Sequence, residues 1–338
     1  MNLIQNQLGQ SGLTVSSLGV GSTPFGGMYT TLARGDAEAT LTAALDAGIT
    51  YVDTAPFYGF GLSERLVGDV IRGRNTTLST KVGRLLKPGL RPDPGAEVWA
   101  NPLPFHQIFD YSYDAIMRSV DDSFQRLGVD RIDILYVHDI GEMTHGADNV
   151  AHFETLRNSG YRALDQLRAD GTVKAIGLGV NEVAICREAL NIGNWDAFLL
   201  AGRYTLLEQS PLDNLLPECA ASNTSMVIGG PYNSGILVSG DRWNYDAAPA
   251  DIQQRVAALT KVSADFNIPL PAAALQFPLA HPVVASAIPG LRSVAEVEAT
   301  LNWSKVDIPP EFWAALKAQN LLHPDAPVPM TNPYWTAA

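Results

Sequence analysis

Cysteine is nearly absent from this sequence: Cys186 and Cys219 are the only two in 338 residues. Two thiols cannot build a disulfide framework or a cysteine zinc site. Both fall in helix-like segments, where a thiol packs as a small apolar side chain. Basic residues are also few. The 23 Lys and Arg stand against 35 Asp and Glu, leaving a net charge of −12. Without a basic field the chain is not expected to bind nucleic acid or an anionic membrane surface. No long apolar run is unbroken. The most apolar stretch, 272–288, is interrupted by Gln276, Pro278, His281 and Pro282, and cannot cross a bilayer as one helix. Residues 1–6 lack the basic and apolar segments of a signal peptide, so a cytoplasmic location is the expectation. Glycine-rich nucleotide fingerprints are missing too. Gly19-Val20-Gly21-Ser22-Thr23-Pro24 and Gly177-Leu178-Gly179-Val180-Asn181-Glu182 each lack the third glycine of G-x-G-x-x-G. That argues against an open, doubly wound dinucleotide fold.

What is present is alternation. Eight strand-length apolar runs occur at 17–21, 50–53, 77–81, 132–137, 175–180, 197–201, 226–229 and 284–288. Most are continuously apolar, as strands buried on both faces are. Helical spacing recurs between them, in Leu41, Ala44, Leu45 and Gly48, in Ile116, Val120, Phe124 and Leu127, and in Ile252, Val256, Leu259 and Phe266. Asp36 is the expected N-cap of the first, and Gly48, Gly128, Gly160 and Gly171 fall where helices are expected to end. The pattern predicts an α/β fold, a closed (β/α)8 TIM barrel forming one domain over 1–338. Gln7 to Val15, turning at Gln10-Ser11-Gly12, predicts a hairpin that closes the barrel bottom. Residues 84–110 predict a long loop after the third strand. This loop and the tail 320–338 are expected to border a substrate site.

In such a barrel, polar residues at the C-terminal ends of strands carry the chemistry. The second strand ends at Asp53, the third at Lys81 and the fourth at His138, with Tyr58 in the loop after the second. Asp53 and Lys81 on neighbouring strands are expected to pair, since an unpaired charge there is costly. Lys81 near Tyr58 is expected to favour the phenolate and lower the phenol pKa. A tuned tyrosine beside an imidazole can exchange a proton with a substrate oxygen. Each residue also has a plain structural reading: a loop cap, a snorkelling lysine, a rim histidine, a packed tyrosine. A second cluster, His138, Asp139, Glu142, His145, Asp148, His152 and Glu154, would suit a metal-dependent hydrolase. It lacks an established ligand spacing, and a solvated polar loop is the preferred reading.

The segments Asp53-Thr54-Ala55-Pro56-Phe57-Tyr58-Gly59, Ser63-Glu64-Arg65-Leu66-Val67-Gly68, Ser79-Thr80-Lys81-Val82-Gly83, Tyr136-Val137-His138-Asp139 and Ile288-Pro289-Gly290 resemble, in order, the aldo-keto reductases. The resemblance implies a catalytic tetrad of Asp53, Tyr58, Lys81 and His138, with Tyr58 exchanging the proton, Lys81 and Asp53 tuning it and His138 orienting the substrate oxygen. It also implies a nicotinamide cofactor extended over the barrel top. The cofactor positions differ from the family pattern. The usual Ser-Asn is Val180-Asn181, so Asn181 alone is kept to hold the carboxamide. A usual Gln is replaced by Ala201, and the Tyr that often stacks on the nicotinamide by Gly229. Gly229, Gly230, Pro231, Gly235 and Leu237 form a turn whose backbone is expected to approach the pyrophosphate, with a plain turn as the alternative.

The segment Pro231-Tyr232-Asn233-Ser234-Gly235-Ile236-Leu237 resembles the branch of that family containing D-threo-aldose, L-galactose and pyridoxal dehydrogenases. Their substrates can all present a cyclic hemiacetal, so oxidation at the anomeric carbon to a lactone is the implied reaction. Phe25, Phe57 and Trp99 are expected to line the substrate. NADPH-using members carry a Lys after Ile-Pro and an Arg six residues beyond it. Here those positions hold Gly290 and Glu296, which implies a preference for NAD over NADP. Arg292 in the same loop is placed to reach a phosphate, with pairing to Glu296 or Glu298 as the plain alternative. A general carbonyl reductase and a non-catalytic cofactor-binding subunit are the alternatives.

Overall fold

The computed structural model describes residues 2–89 and 98–336. Eight parallel strands form one sheet in sequential order. They are β1 (Gly19–Gly21), β2 (Tyr51–Asp53), β3 (Thr77–Val82), β4 (Ile134–His138), β5 (Ala175–Val180), β6 (Ala197–Ala201), β7 (Ser225–Gly229) and β8 (Val284–Ile288). The ends of the sheet meet. Leu18 bridges Ala287 and Gly21 bridges Gly290, both parallel, and Gly21 N–H donates to the Pro289 carbonyl at 2.9 Å. This is the predicted (β/α)8 TIM barrel, and closing it leaves no sheet edge exposed. The continuously apolar runs are explained by burial on both faces: β2, β4, β5 and β8 are buried at every residue.

The helices follow the sequence spacing. Leu41 and Ala44 are buried on Arg34–Asp46, and Ile116, Val120 and Leu127 on Tyr113–Leu127. Two local expectations are corrected. Asp36 lies within the first turn, where its charge suits the helix dipole, and Ala33 is the N-cap. Gly160 does not end a helix. It lies in the Leu156–Gly160 turn that runs into Tyr161–Ala169, and a Cβ there would fall 2.1 Å from the Tyr111 carbonyl oxygen. Close approach, rather than a cap, explains that glycine.

The hairpin pairs Gln5–Gln7 with Thr14–Ser16 in antiparallel register. Its Leu8, Leu13 and Val15 pack with Tyr51, Ile134, Tyr136, Ala197 and Val227 from the barrel strands. Apolar closure at this end leaves the polar ends of the strands at the other.

Residues 84–110 are more ordered than the expected loop. Arg84–Pro88 and Phe105–Phe109 form a five-pair antiparallel ribbon; the centre of the segment, 90–97, lies outside the described residues. The end of the tail is anchored at the opposite end of the barrel. Trp335 bridges Leu3, the Ile4 N–H donates to the Tyr334 carbonyl, and the buried Tyr334 hydroxyl donates to the Leu275 carbonyl at 2.6 Å. Residues 334–336 therefore lie against the chain that leads into β1, not beside the strand ends that carry Asp53 and Lys81. No helix among the described residues is long and apolar enough to cross a membrane.

Candidate active site

β2 and β3 deliver Asp53 and Lys81 to the same end of the barrel, because Asp53 is in register with Ser79, two residues before Lys81. Lys81 Nζ lies 2.6 Å from Asp53 Oδ2 and donates to the Thr54 carbonyl at 2.9 Å. Ser79 Oγ donates to Asp53 Oδ1 at 2.6 Å, and the Tyr51 hydroxyl stands 3.2 Å from Ser79 Oγ and 3.1 Å from the Tyr136 hydroxyl. Both carboxylate oxygens thus have partners, as a charge this deep requires.

Tyr58 follows β2 in a tight turn. Lys81 Nζ sits 4.9 Å from its ring centre, and Lys81 and Thr23 both lie near its hydroxyl. Burial holds the phenol above its ordinary pKa, and Lys81 pulls against it without winning. The expected lowering is therefore corrected in sign, since desolvation of the phenolate outweighs the neighbouring cation. Burial pulls the Lys81 pKa down, but Asp53 and Tyr58 outweigh it and hold the ammonium above its ordinary value.

His138 ends β4. Its ring lies edge-on to Tyr58, with centroids 5.9 Å apart, and its buried Nδ1 has no protein partner. Burial, with the charges of Arg84 and Lys81, holds the imidazole well below its ordinary pKa. It is neutral at physiological pH. The four residues singled out in the sequence are therefore brought together.

Phe57 and Trp99 meet edge to face at 5.2 Å, and Trp99 is 6.0 Å from Tyr58. They form one apolar cluster with Phe60 and Leu86. Phe25 does not join this wall. It is fully buried and belongs to the main barrel core, because Pro24 starts a 3-10 turn that carries Phe25 inward.

The expected cofactor positions are spread over β5, β7 and β8. Asn181 Nδ2 donates to the Ala201 carbonyl at 3.3 Å and to the Tyr245 hydroxyl at 3.1 Å. Tyr245 comes from the turn between Arg242–Trp243 and Asp246–Ala247. Its ring remains partly exposed at the rim. Gly229 has little room for a side chain: a Cβ would fall 3.1 Å from Leu199 Cδ2. In the turn beyond it, Gly230 and Gly235 have positive φ, Pro231 and Leu237 are buried, and the N–H groups of Asn233, Gly235 and Leu237 are spent within the turn. At β8, a Cβ on Gly290 would meet Pro24 at 3.3 Å. Glu296 caps the helix Val294–Ser304 from within: its N–H donates to Ser293 Oγ, and its carboxylate accepts the Arg292 N–H at 2.9 Å. The Arg292 guanidinium reaches Thr30, so the alternative pairing with Glu296 or Glu298 is not formed. The arrangement still suits a dinucleotide: an amide at Asn181, a cation at Arg292 some distance along the rim, and small residues between them.

The loop after β4 is polar and mostly exposed, as expected, with two local exceptions. His138 and Asp139 belong to the site, while His145 and His152 stack at 4.2 Å against Phe109 and Tyr111. Burial and His152 push His145 down to about 4. Among the described residues, no three His, Cys, Asp or Glu converge as metal ligands. Sequence reasoning missed Arg84 and Tyr245. Arg84 follows Lys81 by three residues and carries no motif of its own, and Tyr245 arrives from a hairpin too short to show periodicity.

A model of the aldo/keto reductase family matches residues 17–320. The chain is 44% identical over 331 residues to a pyridoxal 4-dehydrogenase of Microbacterium luteolum, covering 93% of this chain and 97% of that one. It is 35% identical to a D-threo-aldose 1-dehydrogenase of a Pseudomonas species, covering 92% and 96%. Among solved structures, the holo form of an aldo-keto reductase from Bacillus halodurans superposes with a TM-score of 0.75 at 26% identity, covering 98% of this chain and 100% of that one.

Proposed function

The chain belongs to the aldo/keto reductase family of nicotinamide-dependent oxidoreductases, and we propose that it oxidises a cyclic hemiacetal, an aldose or pyridoxal, at the anomeric carbon to the lactone. One observation carries the reading: Asp53, Lys81, Tyr58 and His138 converge at one barrel mouth beside an apolar wall. The relatives supply the substrate class, since pyridoxal and aldose dehydrogenases both match nearly the whole chain.

In this reading the hydroxyl on the anomeric carbon faces Tyr58 and His138. Its proton passes to the Tyr58 oxygen as the carbon–oxygen double bond of the lactone forms. Nicotinamide, when bound, supplies the acceptor for the hydride that leaves the same carbon. Lys81, anchored by Asp53, stabilises the phenolate before transfer. His138, neutral and with Nδ1 free of protein partners, positions the substrate. Phe57 and Trp99 flank it. Asn181 would hold the carboxamide, Gly229, Gly230, Pro231, Gly235 and Leu237 would border the pyrophosphate, and Gly290, Arg292 and Glu296 would meet the adenosine ribose. NAD is the preferred cofactor in this reading, because a 2′-phosphate would meet the Glu296 carboxylate.

The test is a cofactor-reduction screen of L-fucose, L-galactose, D-arabinose and pyridoxal with NAD and NADP, with the first product identified. A lactone is expected. Efficient oxidation of an aldehyde that cannot cyclise, straight to its acid, would count against the reading.

A further inference from the structure

His138 is backed by a charge pair that the tetrad does not include. The residue after it, Asp139, has a φ of 45°, in the left-handed region. Asp tolerates that region better than most residues, and it usually marks a local requirement. The Asp139 N–H is anchored on the Gly179 carbonyl at 2.9 Å, at the end of β5. The sharp turn brings the carboxylate back to the barrel mouth, where Oδ2 forms an ion pair with Arg84 and lies 3.4 Å from His138 Nε2. One oxygen thus faces both the guanidinium and the imidazole.

Arg84 is only 4% exposed. It donates to Gln107 Oε1 at 2.9 Å, and its guanidinium carbon lies 4.0 Å from the Phe57 ring centre and 5.0 Å from that of Phe109. Phe57 in turn meets His138 edge-on at 6.0 Å. A buried ion pair is weak evidence of stabilisation, because desolvation offsets most of the attraction. Stability therefore does not account for a positive φ, a buried guanidinium between two rings and a carboxylate oxygen shared with an imidazole.

We propose that Arg84 and Asp139 are positioning residues for His138, acting on the substrate through the imidazole they hold from behind. Asp139 fixes the ring by facing Nε2, which keeps a proton on that nitrogen. Arg84 aims Asp139 and opposes protonation of the ring as a whole. The other charged or titratable groups around His138 are Lys81, Tyr58 and, through Lys81, Asp53. Tyr111 donates its hydroxyl to the His138 carbonyl and shares it with His145. Arg84 and Asp139 are the members of this set that can be changed without touching the tetrad or the backbone support of β4.

The inference rests on the reading of His138 as the group that meets the substrate, and its test separates the two. Histidine NMR of the ligand-free protein is recorded for wild type, Arg84→Gln, Arg84→Lys and Asp139→Asn, beside pH profiles of kcat/KM. In wild type His138 stays neutral through the weakly acidic range. Arg84→Gln removes the opposing cation, which makes the ring more basic, and leaves Asp139, whose carboxyl pKa is already raised by burial, to share a proton with Nε2. The His138 NMR titration moves up, and kcat/KM gains an acid limb falling by about tenfold per pH unit. Arg84→Lys restores the charge and removes most of that limb. Asp139→Asn keeps the shape, loses the anchor and lowers kcat/KM by roughly tenfold or more without an acid limb, while affinity for reduced cofactor stays the same. An unchanged His138 titration in Arg84→Gln, or in Arg84→Met if the first variant does not fold, overturns the positioning role. If His138→Ala turns over substrate normally, the reading of the site fails instead.

Discussion

Replacing Lys81 with Met separates what the buried charge pair does for the fold from what it does for the site. The substitution keeps most of the stem and removes the ammonium. Nζ lies 2.6 Å from Asp53 Oδ2 and is almost fully buried. At an effective dielectric constant of about 20, that separation corresponds to an attraction on the order of 6 kcal/mol. Desolvation of both groups offsets most of it, so the pair adds little net stability. Losing one partner is different, because the carboxylate left behind is buried and uncompensated, at a cost of ~3–5 kcal/mol. Asp53 keeps its bond from Ser79, and burial already raises its pKa. It can therefore take up a proton, which places the loss near the lower end, about 3 kcal/mol. For a chain of 338 residues, an unfolding entropy of about 2.1 cal/mol/K per residue converts this to a Tm lower by ~4 °C. The double variant Asp53→Asn/Lys81→Met removes both charges and should recover much of that loss. It should recover none of the activity, which falls at least ~10²-fold in both variants because Tyr58 loses its cation. The assay is thermal unfolding at one scan rate beside steady-state kinetics. A Tm for Lys81→Met equal to wild type, or a double variant less stable than the single, would refute the reasoning.

Other expectations follow from the same geometry. Tyr58→Phe keeps the ring against Trp99 and removes the proton carrier, so turnover should fall ~10²–10⁴-fold while reduced-cofactor affinity holds; near-normal turnover would remove Tyr58 from its role. Because burial raises the Tyr58 phenol, the fraction ready to accept a proton grows with pH. Oxidative kcat/KM should therefore rise by up to about tenfold per pH unit through the neutral and weakly alkaline range, and a flat profile there would contradict a raised phenol. The stacked His145 should titrate by NMR at about 4, and a midpoint near the ordinary histidine value would show that the stack with His152 does not form. Glu296→Arg should shift kcat/KM toward NADP; no shift, with the helix intact by circular dichroism, would mean that Glu296 does not face the ribose.

The barrel was legible because burial on both faces writes itself as continuous apolar runs: 175–180, 197–201 and 284–288 coincide with the observed strands. Strand ends were legible for the opposite reason, as a charge closing an apolar run marks the point where the chain leaves the core for the barrel mouth. Features set by distant partners were not. The ribbon from Arg84 to Phe109 depends on pairing across residues 90–97, with no alternation long enough to show it. Phe25 looked like a wall residue because aromatics near strand ends usually are, but the turn after Ser22 points it into the core. The tail looked like a rim segment, but its place depends on Tyr334 and Trp335 finding Leu275 and Leu3. The sign of the Tyr58 shift required the depth of burial, which spacing does not encode.

The departures from the family's cofactor pattern have a physical logic of their own. Gly290 stands where the family pattern has a Lys, and a Cβ there would fall 3.3 Å from the Pro24 ring in the loop after β1, so that ring would have to give slightly. That loop is the one Gly290 bridges through Gly21 to close the barrel. At Gly229 a large ring would collide with Leu199, while the Tyr245 hydroxyl arrives from the opposite side to bond Asn181. An aromatic hydroxyl beside Asn181 is therefore supplied by the hairpin after β7 rather than by a side chain at Gly229. Arg203 secures this substitution. It donates to the Asn181 carbonyl at 2.8 Å and to Asn244 Oδ1 at 2.7 Å, tying the end of β5 to the hairpin that carries Tyr245. A hydroxyl can thus be brought beside an amide by a hairpin as well as by a strand, because the constraint acts on where the group stands and not on which element delivers it.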